Sequence, residues 1–187
     1  MTLVLPALFA FLLQVSGALG QGRPAPTFVS ESSCGECHAA QQQAHARSQH
    51  ARAMSPANEN TVRGNFNGAT FRKDGVTSRF FRRDGRYFVN TDGPDGKLAD
   101  YEIKYTFGVE PLQQYLIELP GGRFQALSIA WDTRAKRWFH TYPGERIDHK
   151  DVLHWTRTSQ NWNTMCASCH ALDVRKNYDA ATDTYRT

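Results

Sequence analysis

Much of what usually labels a chain is missing from these 187 residues. No block of Lys and Arg is present. The 22 basic residues are scattered through turns and short apolar runs and the formal charge is only +4, so no nucleic-acid surface is legible. No stretch reaches the about 20 apolar residues that a membrane-spanning helix needs. No repeat of about 20 to 50 residues runs through the chain, which excludes solenoids and propellers. Cysteine is sparse, four residues in all, and it is spaced wrongly for staples, because a bridge inside a C-x-x-C pair closes only a tiny loop and gains little chain entropy. Hydrophobic residues at 40% and charged residues at 21% exclude a disordered or collagenous chain and fit one globular domain.

Charge is also absent from residues 1–20, MTLVLPALFAFLLQVSGALG. The apolar stretch from Leu3 to Leu13 is too short to span a bilayer, and Ala18 and Gly20 stand at the small-residue positions of a cut before Gln21. Residues 1–20 therefore read as a secretory signal peptide, with 21–187 as the mature domain in a periplasmic or extracellular setting. The first residues carry no Lys or Arg, so the start lies upstream or the segment stays uncleaved. A buried N-terminal helix is the plainer alternative; Pro6 and the polar switch at Gln21 favour export.

Against this spare background one pattern occurs twice: Cys34-Gly35-Glu36-Cys37-His38, and Cys166-Ala167-Ser168-Cys169-His170. C-x-x-C-H is the attachment site of a c-type haem. Each thiol adds across a porphyrin vinyl group, two intervening residues match the span between the vinyls, and the following histidine falls beneath the iron. The expectation is two covalent haems c, on Cys34 and Cys37 and on Cys166 and Cys169, with His38 and His170 as proximal ligands. Four cysteines around one zinc ion is the competing reading. It leaves the histidine after each pair unexplained.

Each iron wants a sixth ligand unless it is catalytic. His45, His50, His140, His149 and His154 are available, with Met54 and Met165. The segment from Glu36 to about Met54 reads as a helix stopped by Pro56. Such a helix carries later residues away from His38, so His45 and His50 are poor partners for the first haem and good ones for another. At 1.5 Å per residue His50 would lie about 18 Å beyond His38. His50, nearer the helix end, is preferred; two solvated histidines is the bland alternative. His154, beside Trp155, is the next candidate distal ligand. His140 reads equally as a core residue and His149 as solvated.

Between the motifs the period changes to two. YEIKYTF alternates Tyr101, Ile103, Tyr105 and Phe107 against Glu102, Lys104 and Thr106. VTSRFF and RYFVNT flank RRDG, and further Asp-Gly pairs at Asp74, Asp92 and Asp95 mark tight turns. Residues 69–142 are predicted to form an antiparallel meander of about five to seven strands, its aromatics serving as core. The predicted fold class is α+β and multihaem cytochrome c-like, with short haem-binding helices at both ends flanking that meander. The porphyrins would add apolar surface to an otherwise undersized core.

The opening C-x-x-C-H helix with SQHARAM, the strand motif YTFGVEPLQQYLIELPGGRFQALSIAWD, RWFHTYP, and LHWT with NWNTMCASCH together resemble bacterial periplasmic multihaem c-type cytochromes, particularly those with C-terminal tetratricopeptide repeats. The likeness covers nearly all of the mature residues. It implies haem attachment at the six motif residues and a distal role for His50. It favours packing for His45, where the family commonly has Trp. In that family a further C-x-x-C-H and helical repeats follow a YD-TDT stretch; here YDAATDTYRT is the last segment, implying a portion of something longer.

The function expected is electron transfer between redox protein partners through two bis-His haems. The alternatives are a nitrite- or hydroxylamine-type reductase with one open iron, and a subunit of a haem-stacked assembly formed by self-association.

Overall fold

The computed structural model describes residue 27, residues 29–171 and residues 174–187. The leader assigned to export, 1–20, lies outside them. The first element is helix α1, Glu31–Arg47. Nine strands follow: β1 (Met54–Pro56), β2 (Ala69–Lys73), β3 (Val76–Arg83), β4 (Arg86–Asp92), β5 (Leu98–Phe107), β6 (Leu112–Leu119), β7 (Arg123–Ala126), β8 (Ile129–Asp132) and β9 (Arg137–His140). A 3-10 turn at Thr158–Gln160, a π turn at Trp162–Cys166 and the four-residue helix α2, Ala167–His170, complete the elements among the described residues.

All nine strands belong to one antiparallel sheet whose main path is β2-β3-β4-β5-β6-β8-β9, with β1 added to β5 and β7 to β6. Two Asp-Gly pairs set the first hairpins. Lys73 pairs with Val76 and Arg83 with Arg86, leaving two-residue turns at Asp74-Gly75 and Asp84-Gly85. All four turn residues have positive φ, between 50° and 88°, the twist that matches flanking strands.

The sheet curls into a nearly closed barrel. Trp138 of β9 stacks on Phe80 of β3, ring centroids 3.6 Å apart. Phe66, from the loop before β2, sits inside and meets Phe80, Tyr87, Tyr115 and Trp138 edge-on at 5.1 to 5.6 Å. One ring thus touches strands β3, β4, β6 and β9. A second, smaller cluster lies outside the barrel, where Leu116, Ala126, Trp162 and Ala167 pack with Met54, Tyr105, Phe107, Phe124 and Cys166.

These findings correct the expected fold class. The chain is not an α+β, multihaem cytochrome c-like arrangement of haem-binding helices around a meander. It is mostly antiparallel β, a nearly closed barrel of seven strands with two short helices. Helix α1 ends at Arg47 and not near Met54, since Ser48 turns extended and the Arg52 side chain donates to the carbonyls of Arg47 and Ser48. Met54 instead opens a strand. At the far end, Asn161 caps the π turn with its side chain, and only Ala167–His170 is α-helical. The interval between β1 and β2 supplies the central core ring Phe66. None of the motif residues belongs to the buried cluster inside the barrel.

Candidate functional site

The β1–β5 pairing positions the site. Met54 faces Phe107 in the register, and the Gly108 N–H donates to the Ala53 carbonyl at 2.7 Å. This fixes the chain segment leaving α1 beside the C-terminal end of β5. There Phe107 meets the His170 ring edge-on, centroids 5.0 Å apart at 81°. The second motif therefore lies against the exit of the first.

The second motif is held by buried amides. Asn163, fully buried, accepts the Phe124 N–H at 2.8 Å and donates to the Gly122 carbonyl. Asn161 Oδ1 accepts both the N–H and the hydroxyl of Thr164. Gln125 Nε2 donates to the carbonyls of Trp155 and Arg157, each at 2.9 Å. Satisfied amides of this kind lock one backbone path, because an unpaired buried amide is costly. The roles of Asn161 and Asn163 are not among the sequence expectations; two asparagines bracketing an aromatic directly before a motif are the signal for them in the chain.

Between these parts lies a cleft of about 580 Å³ lined by His45, His50, Ala51, Ala53, Met54, Cys169, His170 and Ala171. The structure thus gathers His45 and His50 with Cys169 and His170. Cys166 lies behind them, half-buried in the outer apolar cluster; burial, then the neighbouring Cys169, pushes its thiol above the ordinary range. Cys34, Cys37 and His38 lie exposed on α1, and His38 has non-helical φ and ψ of −124° and 43°. All four thiols are free, and no pair forms a disulfide.

The cleft's chemistry suits a porphyrin. Its volume is in the range of cofactor sites. Alanine side chains bound it, one thioether and one thiol lie in it, and imidazoles stand on its α1 side and its α2 side. That donor set, nitrogen and sulfur with apolar walls, is the one haem iron and its attachment require. Among the described residues no group of three or more His, Cys, Asp or Glu is arranged to hold a bare metal ion.

The other candidates lie elsewhere. His154 is 4% exposed, with Nε2 3.2 Å from Asp92 Oδ2 and Nδ1 2.8 Å from Thr156 Oγ1. Both ring nitrogens are engaged by protein partners. Trp155, read as a porphyrin neighbour, is buried against Tyr101 and donates its Nε1 hydrogen to the Asp92 carbonyl. His140 Nδ1 accepts the Tyr142 N–H. The His149 ring sits against Gly96, and Met165 points into solvent at 58% exposure.

Charge around His154 is balanced locally. Burial pushes the Asp92 carboxyl upward, but the bond and charge of His154 and the Thr91 hydroxyl outweigh it and hold it below its ordinary value. Burial, then the Lys73 charge, pulls His140 below its ordinary value.

The chain matches no protein-family model, no curated protein and no solved structure. Among the described residues no helix is long and apolar enough to cross a membrane.

Proposed function

We propose that this chain is an exported c-type cytochrome of the multihaem family it resembles, carrying two covalent haems and passing electrons between redox partners. The observation that carries the reading is the cleft, which places His45 and His50 opposite the Cys169–His170 end of the second motif. Spacing alone assigns His45 and His50 to a haem other than the one at Cys34 and Cys37. The cleft supplies a geometric reason for the same assignment.

Bound haem supplies an iron that takes up and releases one electron. The chain's residues supply the rest. Cys166 and Cys169 would hold the second group by thioethers, each formed as an S–H adds across a vinyl double bond with no oxidant needed. His170, set by Phe107, would be the proximal ligand and His50 the distal one, with His45 beside it as wall. Cys34, Cys37 and His38 would hold the first group on α1. The exposure of that motif favours a second, compatible reading, in which another haem protein or another copy of the chain covers it.

The test is intact mass and haem staining of protein exported through a cytochrome-maturation system. Two haem additions are expected, falling to one in the Cys166→Ser/Cys169→Ser variant. Bare thiols or a zinc adduct in matured material would end the proposal.

A further inference from the structure

We propose that the outer face of β3, β4 and β5 is a docking surface for an acidic protein, built on arginines laid over aromatic rings. The inference stands apart from the haem reading and uses none of the motif residues.

Strand alternation sends Arg79, Phe81 and Arg83 of β3 outward, against Phe88 and Arg86 of β4, since Phe81 pairs with Phe88 and Arg83 with Arg86. The two phenyl rings stack on the solvent side of the sheet, centroids 5.6 Å apart at 17°. Arg79 lies 5.4 Å from the Phe81 centroid, Arg83 4.4 Å from that of Phe88, and Arg86 5.6 Å from that of Phe88. A guanidinium over a ring is attracted by its quadrupole and loses freedom there. It still presents N–H donors outward in the fork that matches a carboxylate.

The carboxylates on this face are already engaged. Asp100 accepts from Arg83 Nη1 at 3.0 Å and from Asn90 at 2.8 Å, and Glu102 contacts Arg86 Nη1 at 3.3 Å and Lys104 Nζ at 3.0 Å. Arg83 and Arg86 nevertheless keep side-chain exposures of 50% and 57%. Each guanidinium has five donors, and these contacts use one nitrogen. Arg79, Arg83, Arg86 and Lys104 outnumber Asp100 and Glu102, so the face is a positive, patterned surface with immobilised donors.

The pattern selects the class of partner. An anionic membrane or a nucleic acid presents nearly uniform negative charge, and Asp100 and Glu102 along the β5 side of the patch would repel it. A protein face with separate Asp and Glu side chains can meet the arginines and avoid the carboxylates.

The experiment uses the full matured chain with a peptide of Glu residues separated by Gly-Ser spacers as the protein-carboxylate probe and phosphatidylglycerol vesicles as the membrane probe, at low and raised ionic strength. Arg79→Gln, which removes a charge, and Phe81→Leu, which keeps every charge but removes a ring, should each weaken binding of the spaced-Glu peptide about two- to fivefold. The control Arg134→Gln/Lys136→Gln, on the β8–β9 turn, should bind as the parent does. Thermal melting confirms that each variant is folded; if Phe81→Leu melts early, Arg79→Gln, on an exposed side chain, carries the test. Equal losses in the control, parental binding by folded Phe81→Leu, or preference for the vesicles would each overturn the proposal.

Discussion

Met54 and Phe107 face each other across the β1–β5 pairing, and this contact joins the two ends of the chain's chemistry. On one side of Met54 the backbone leads to His50 and α1; on the other side of Phe107 stands the His170 ring. Neither residue carries a motif, yet their register determines which histidines can share a cleft with the second C-x-x-C-H.

On the proposed haem reading, His50→Ala should keep both covalent haem additions in the intact mass, while one iron becomes high-spin or begins to bind carbon monoxide in the reduced spectrum. If both irons stay low-spin and inert to carbon monoxide, the assignment of His50 is wrong. The same spectra also separate an electron carrier from a reductase with an open iron in the parent protein.

His154→Ala should open no iron. It should instead lower stability by about 1–3 kcal/mol, the usual cost of leaving a buried partner such as Asp92 unsatisfied. Denaturant unfolding beside the carbon monoxide spectrum distinguishes the two outcomes.

Acid should weaken the fold through the same region of the barrel. The His140 imidazole lies below its ordinary 6.5 in the folded chain, chiefly by burial, so the unfolded chain binds that proton more readily. Its contribution is complete above about 6.5 and is lost as pH falls below that toward the depressed folded value. Asp92, also lowered, adds a contribution present above its ordinary 3.8 and lost as pH falls through the folded value. Lys73, Asp74 and His154 share this environment. The melting temperature should therefore drop between about pH 7 and about pH 5.5, and His140→Gln should flatten that part of the curve.

Phe66→Ala should cost about 3–5 kcal/mol, the range for deleting a buried aromatic side chain. Four rings from four strands would lose their common contact. Chemical denaturation of the two proteins measures the difference.

A variant with all four cysteines changed to serine should still show a cooperative thermal transition, because the barrel interior, aromatic rings packed with Val89, Ile103, Ile117, Leu127 and Ile129, contains no cysteine. Broad, non-cooperative melting would mean that the outer cluster and its cofactor are needed for the barrel to close.

The local signals were legible and the assembly was not. Asp74-Gly75 and Asp84-Gly85 announced their hairpins, and the alternation around Ile103 announced β5, because turn chemistry and period-two burial are properties of adjacent residues. Phe66 was hidden in a stretch of Asn and Gly, since its burial depends on four distant strands. The contact of the His154 ring with Asp92, at the far end of β4, was likewise invisible from its neighbour Trp155 in sequence. The fold class was misjudged because helical character at the two motifs was given more weight than the strands between them. Helix α1 is rich in Ala and Gln and has no apolar face to bury, so it contributes little to the architecture.

The walls of the cleft at Ala51, Ala53 and Ala171 are single methyl groups. Its aperture is therefore governed by how little these positions carry. Any branched or aromatic replacement there would occupy the gap itself, so tolerance to larger residues at the three alanines is a measure of how much room the chain must keep open.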